Sequence, residues 1–307
     1  MDKSILKGHL STCGANVMWG LMAPVAKVVM VAGIATPLLM SGFRIMGAAV
    51  LFWLASLFCP QEKVKGKDLL MLAGAAMLGI VFNQGCYLFG VSLTSPGEAS
   101  IITTTMPIWV MIFAWFILRE PITLKKAGGI ILGASGAVTL VLGGASGAVT
   151  PGDNPTFGDV LVLMAQFSYA LYLTLYRNFI KKYSVVTLMK WMFLFASIVI
   201  LPFVGPEFAR TNWAAFSWRE ILGAGYVVVC GTFLAYICIM VGQKNLRPTL
   251  VGMYNYVQPI VATIVGITLG LDSFTFVKAL AVAMIFSGVF LVNISKSAPA
   301  SSSKTAD

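Results

Sequence analysis

Amide and aromatic side chains recur inside apolar stretches of this sequence, often at spacings of three or four residues. Residues at such spacings share one face of a helix. Because an amide inside a membrane needs another polar group, these side chains should face the interior of a helical bundle. Together they can hold a small amphipathic solute, although tyrosines at helical spacing also serve packing. The predicted binding residues are Asn16, Trp19, Asn83, Gln84, Tyr87, Gln166, Tyr169, Tyr236, Tyr254, Asn255 and Gln258.

Two prolines, Pro107 and Pro259, interrupt otherwise apolar stretches. Proline donates no backbone hydrogen bond, so the carbonyl group four residues earlier loses its helical partner. These carbonyl groups belong to Thr103 and Asn255, which both carry polar side chains. One interpretation is a pair of half-broken helices that offer these groups to a substrate. The other is a packing kink whose free carbonyl group is satisfied by local side chains.

Two charged residues complete the candidate site. Arg44 lies about two turns into an apolar stretch, where it could bind a substrate carboxylate or phosphate. It could equally extend to the outer surface, and both interpretations stay open. Glu98 begins a predicted helix two residues after Pro96, where an acid is favourable to the helix dipole. It is also the main candidate for proton coupling, because the predicted helices contain no deeper carboxylate.

Catalytic and metal-binding patterns are missing from the sequence. A single histidine, His9, nearly excludes a histidine-based metal site. Paired aspartates, a Ser/His pair and a zinc motif do not occur in the apolar stretches. We therefore predict no catalytic residue, no metal and no cofactor. The formal charge of +10 does not indicate nucleic-acid binding, because the basic residues cluster in short loops without interleaved exposed aromatics.

The elements that must position these residues are membrane-spanning helices. The chain is 58% hydrophobic and 10% charged, whereas a soluble domain is typically about 25% charged. A spanning helix needs about 20 mostly apolar residues. The sequence predicts an all-α membrane protein with ten transmembrane helices, at 9–31, 37–58, 68–91, 96–118, 124–144, 158–177, 185–204, 219–242, 248–270 and 275–294.

Positive charge predicts the orientation of these helices. With a cytoplasmic N-terminus, 15 of the 21 lysines and arginines fall on the inner side and four on the outer side. Such a bias is typical of cytoplasmic loops. Both termini are therefore expected in the cytoplasm, and the Gly/Pro-rich loop 145–157 is expected outside. The polar tail 295–307 is expected to be disordered.

The two halves of the chain repeat one another at a shift of 152 positions. Pro107 falls on Pro259, Thr123 on Thr275 and Lys126 on Lys278, among other matches. The predicted repeats are 8–144 and 158–294, each with five spans. Because five is odd, the second repeat enters the membrane from the opposite side. Two inverted five-helix repeats are typical of secondary transporters.

The sequence resembles the EamA branch of the drug/metabolite transporter superfamily over nearly its whole length. The resemblance is carried by Asn16 and Trp19-Gly20, by Arg44, by the run SLTSPGEASIITTTMPIWVMIFAWFILREPIT (92–123), and by a Gly-rich fifth helix. It implies ten helices in two repeats and the passage of amino acids, other metabolites or drugs, often outward. The second half departs from the pattern at Leu271 and Asp272, and it has no arginine at the place of Arg44.

These observations predict a secondary transporter in the cell inner membrane, an exporter of amino acids or related metabolites that works by alternating access. Its expected partners are a small-molecule substrate and the lipid bilayer, without nucleic acid, and its oligomeric state stays open. The alternative is a sugar-phosphate or nucleotide-sugar carrier, which usually needs more buried cations than Arg44, Lys190 and Lys27 supply. An alternative of another class, an intramembrane enzyme, is disfavoured because the spans lack catalytic groups.

Overall fold

The computed structural model describes residues 3–31, 36–93, 99, 102–142, 154–268 and 275–295. All regular secondary structure in these ranges is helical, which confirms the predicted all-α class. The helices are α1 (Lys3–Val31), α2 (Pro37–Leu57), α3 (66–93), α4 (Met106–Leu118), α5 (Leu124–Leu142), α6 (Pro155–Leu175), α7 (Val185–Arg210), α8 (Trp218–Asn245), α9 (248–268) and α10 (Phe276–Asn293).

Seven of the described helices, α2, α3, α5, α6, α7, α8 and α10, are long and apolar enough to cross a membrane. The chain is therefore a multi-pass membrane protein. The described part of α4 has only 13 residues, and α9 contains the short 3₁₀ turn Tyr254–Tyr256. The total of ten spans remains a prediction. Helix α7 runs to Arg210, six residues beyond the predicted end, because Pro202 and Pro206 are accommodated within it.

Side-chain caps explain where several helices begin. The Thr36 hydroxyl accepts a hydrogen bond from the backbone N–H of Leu39 at the start of α2. Thr123 and Thr275 cap α5 and α10 in the same way, at positions that correspond in the two halves. A hydroxyl at this position satisfies one of the free N–H groups of the first turn. The fifth helix of each half therefore begins with the same type of cap at the corresponding position.

Two wide π-helical turns follow the same repeat. They lie at Met77–Phe82 in α3 and at Val229–Leu234 in α8, so that each residue of one corresponds to a residue of the other at the shift of 152. A wide turn of this kind leaves local carbonyl groups without their regular helical donors. Such turns are often found at functional sites.

Helices α5 and α10 pack closely through glycine. A Cβ atom on Gly129 would lie 2.7 Å from the carbonyl oxygen of Gly288, and one on Gly136 would lie 2.6 Å from that of Ala281. Gly129 lies earlier in α5 than Gly136, whereas its partner Gly288 lies later in α10 than Ala281. The two helices therefore run antiparallel. At the shift of 152, Gly129 corresponds to Ala281 and Gly136 to Gly288. The two contacts are therefore equivalent, as in a two-fold arrangement.

A second reciprocal contact joins α8 to α1 and α3 to α6. A Cβ atom on Gly242 would lie 3.2 Å from Cβ of Thr12, and one on Gly90 would lie 2.7 Å from a methyl carbon of Val162. Gly90 corresponds to Gly242, and Val162 corresponds to Thr12 at the neighbouring shift of 150. Each half therefore places its first helix against the third helix of the other half. This exchange brings the polar residues of both halves together.

Candidate functional site

Three amide side chains meet between α1 and α9. The Gln258 Nε2 group donates hydrogen bonds to Asn16 Oδ1 at 3.0 Å and to Asn255 Oδ1 at 2.6 Å. Asn16 is buried and its Nδ2 donates to the carbonyl oxygen of Thr12 at 2.9 Å. The structure thus brings together three predicted residues, from the first helix of one half and the kinked helix of the other.

A second polar group lies among α2, α3 and α8. Gln84 Nε2 donates to the Tyr236 hydroxyl at 2.8 Å, and Arg44 Nε donates to the Thr232 hydroxyl at 3.3 Å. The hydroxyl groups of Tyr87 and Tyr236 are electrostatic neighbours of the Arg44 guanidinium. Arg44 is therefore turned towards α8.

Two buried tyrosines of α6 and a glutamine of α8 form a third polar group. The Tyr172 hydroxyl donates to Gln243 Oε1 at 3.1 Å, and Gln243 Nε2 donates to the Tyr169 hydroxyl at 3.2 Å. All three residues are buried. Gln243 lies on α8, two turns beyond Tyr236 of the second polar group. Tyr169 is the predicted residue here.

Side chains satisfy carbonyl groups at both wide turns. The indole N–H of Trp19 donates to the carbonyl oxygen of Gly231 at 3.0 Å, within the wide turn of α8. The Ser168 hydroxyl donates to the carbonyl oxygen of Leu78 at 2.7 Å, within the wide turn of α3. Each donor comes from the opposite half of the chain. The wide turns are therefore stabilised by contacts between the halves, as expected for carbonyl groups inside a membrane.

The remaining predicted residues have partners outside these groups. Asn83 Nδ2 donates to the carbonyl oxygen of Ala165 at 3.0 Å, and Gln166, the following residue in α6, is buried. The Tyr254 hydroxyl lies 2.7 Å from His9 Nδ1. Asn83 and Tyr254 are therefore held by their own local partners. Glu98 falls outside the described residues.

Both prolines stand at breaks in the helices. Pro107 lies in the first turn of α4, directly after a turn that contains Thr104, and Thr103 is half-buried just before it. Pro259 lies three residues after the short 3₁₀ turn of α9, which ends at Tyr256. The Tyr256 hydroxyl donates to the carbonyl oxygen of Thr104 at 3.1 Å. The breaks of α4 and α9 are thus in direct contact, and one satisfies a carbonyl group of the other.

An ion cluster that the sequence did not predict joins the halves at another place. Glu120 follows α4 and is only 1% exposed. Its carboxylate accepts hydrogen bonds from Lys126 at 3.0 Å, from Arg177 at 3.1 Å and from the Thr249 hydroxyl at 3.2 Å. Arg119 adopts a left-handed conformation, with φ of 54°, that turns the chain at this point. The recurrence of the acid and the lysine at the shift of 152 was the signal that could have revealed the cluster.

No cluster of metal ligands is found in the described part of the chain. A cleft of about 350 Å³ opens between α3 and α6 and is lined by apolar side chains such as Phe82, Phe89 and Leu161. None of the predicted site residues lines it. Polar chemistry in the described residues is instead concentrated in the interior contacts between the two halves.

A model described as the EamA-like transporter family matches residues 6–142 and 156–294. The uncharacterized transporter YetK of Bacillus subtilis strain 168 is 27% identical over 267 residues, which cover 85% of this chain and 79% of YetK. The uncharacterized inner membrane transporter YedA of Escherichia coli K12 is 27% identical over 269 residues, covering 85% and 82%.

A solved crystal structure has a similar fold. It superposes with a TM-score of 0.77 and covers 95% of this chain and 96% of its own, at 17% sequence identity. At that identity the similarity concerns the fold alone.

Proposed function

We propose that this chain, which belongs to the EamA-like transporter family, is a secondary transporter that exports amino acids or related small metabolites by alternating access. The observation that carries the proposal is the cluster of Asn16, Asn255 and Gln258. These amides lie inside a membrane protein and come from both halves of the chain. Asn16 is buried, and Asn255 and Gln258 are half-buried. Polar residues in such positions are expensive and generally functional.

We propose further that ten helices cross the membrane as two inverted repeats. The reciprocal contacts of α5 and α10 support this relation. Two equivalent helices that run antiparallel are related by a two-fold axis perpendicular to their length. Because the helices cross the membrane, this axis lies in the membrane plane. Inverted halves of this kind supply outward-open and inward-open states of similar energy. The repeats correspond to 8–144 and 158–294, both termini are cytoplasmic, and Glu98 is the candidate for proton coupling.

The composition of the site favours a neutral or zwitterionic solute. Lys126 and Arg177 are engaged by Glu120. Lys190 is buried over the Trp53 ring, 5.1 Å from its centroid. Among the polar groups described above, Arg44 is thus the cation beside the predicted binding residues. One arginine compensates a carboxylate more readily than a phosphate, whose lost hydration is larger.

The test is uptake by vesicles that contain the purified protein, with amino acids, sugars, sugar phosphates and nucleotides offered with and without a pH gradient. We expect movement of an apolar amino acid such as leucine, and loss of that movement in Asn255→Leu. Asn293→Leu is the matched control, because Asn293 is exposed at the end of α10. Tight binding of a sugar phosphate that Arg44→Ala abolishes and Asn255→Leu leaves unchanged would favour the alternative carrier.

A further inference from the structure

We propose that Arg44 and Gln84 orient the substrate, with a ligand carboxylate at Arg44 and a ligand N–H group at the side-chain oxygen of Gln84. The ligand class is therefore a monocarboxylate that carries a neighbouring amino group. This inference rests on the proposed transport function and specifies how the site recognises its substrate. Two unsatisfied groups and their common neighbour, Tyr236, support it.

Arg44 is the first unsatisfied group. Its Nε bonds to the hydroxyl of Thr232, but its two Nη groups donate no hydrogen bond within the described residues. The carboxylates that form ion pairs there, Glu120 and Asp68, are bound to other cations. The side chain is partly exposed. A cation within a spanning helix pairs with another charge or with carbonyl groups, or it faces a water-filled cavity. A planar guanidinium fits a carboxylate through two parallel hydrogen bonds.

Gln84 is the second unsatisfied group. Its side chain is 4% exposed, and its Oε1 atom is buried with no hydrogen-bond partner among the residues that the structure describes. A buried acceptor without a donor destabilises a protein. Such atoms are rare in native structures and call for a specific explanation. A ligand N–H group that reaches Oε1 supplies the missing donor.

Tyr236 brings the two groups together. Its hydroxyl accepts the hydrogen bond from Gln84, and Thr232, the partner of Arg44, lies one turn earlier on α8. The rings of Trp19 and Phe193 lie 5.9 and 5.0 Å from the Tyr236 ring, centroid to centroid. The Arg44 guanidinium and the acceptor oxygen of Gln84 therefore lie on one side of Tyr236, and the aromatic rings lie beside them. This arrangement suits a small molecule with a polar head and an apolar side chain.

The test measures binding of three matched ligands to the purified protein by calorimetry. L-Leucine has both groups, 4-methylpentanoate lacks the amino group, and 3-methylbutylamine lacks the carboxylate. We expect leucine to bind at least about tenfold more tightly than either analogue, because each lost contact involves a charged group. Equal binding of leucine and 4-methylpentanoate by the unmodified protein would overturn the inference without the use of any variant.

Two variants assign the contacts. Gln84→Leu should weaken leucine about tenfold and leave 4-methylpentanoate unchanged. Arg44→Gln should weaken leucine and 4-methylpentanoate alike and leave 3-methylbutylamine unchanged. Loss of all three ligands to the same extent in either variant would indicate a structural role and would contradict the inference, as would no binding of any of them by the folded protein. Leucine transport with no such discrimination would refute this inference while the transport function stands.

Discussion

The buried carboxylate of Glu120 allows a sharp test of how the two halves are held together. Glu120 and Lys126 are each 1% exposed, and Arg177 adds a second cation to the same carboxylate. Glu120→Gln keeps the shape of the side chain and removes its charge. The buried ammonium of Lys126 then lies beside the guanidinium of Arg177 with no counter-charge. Removing one partner of a buried ion pair costs about 3–5 kcal/mol of unfolding free energy.

The assay is equilibrium unfolding of the purified protein in mixed detergent micelles. Glu120→Gln should lower the unfolding free energy by about 3–5 kcal/mol. In the double variant Glu120→Gln/Lys126→Met, the loss of unfolding free energy should be smaller than the sum of the losses in the two single variants, because the uncompensated charge of Lys126 is also removed. Lys182→Gln is the control, since the Lys182 side chain in its pair with Asp68 is 46% exposed and screened by water. A Glu120→Gln variant no less stable than this control would refute the reasoning.

Three further predictions address the helices. Pro107→Ala and Pro259→Ala should both reduce transport, and by similar factors, because inverted repeats use equivalent elements in opposite states; normal flux in both would leave packing as their only role. Gly129→Ala should destabilise the protein by about 1–3 kcal/mol through overpacking against α10, whereas Gly128→Ala, with open space around it, should be neutral or stabilising in the same thermal unfolding assay. A cysteine at Gly152, in a chain without its native cysteines, should react with a membrane-impermeant maleimide on intact cells; protection there would reverse the orientation.

Much of the fold could be predicted because lipid imposes a simple rule on sequence. Long apolar stretches between basic loops give helices, and the helix starts of α2, α5 and α7 lie within one residue of the predicted starts. The wide turns of α3 and α8 could not be predicted, because their sequences differ and remain compatible with regular helix. The predicted end of α7 was six residues too early, because the helix continues through Pro202 and Pro206.

The site was predictable in its residue types but not in its pairings. Amides in apolar stretches had to meet other polar groups, and Gln258 does bond to Asn16 across 242 positions of the chain. No periodicity indicates which amide meets which. The unsatisfied oxygen of Gln84 depends on the same unpredictable geometry. The recurrence of Glu120 and Lys126 in the second half indicated that the acid and the lysine belong together, whereas the second cation, Arg177, lies 57 positions away, beyond any local pattern.

Counterflow in reconstituted vesicles tests the central claim of secondary transport most directly. Vesicles loaded with unlabelled leucine are diluted into a trace of labelled leucine, without an ion gradient or ATP. An alternating-access carrier returns to the outer side faster with substrate bound, so we expect labelled leucine to accumulate transiently above its equilibrium level. Gly128→Ala should behave in the same way. Entry at a rate that does not depend on internal leucine would contradict alternating access, and entry equal to that of protein-free vesicles would contradict leucine transport itself.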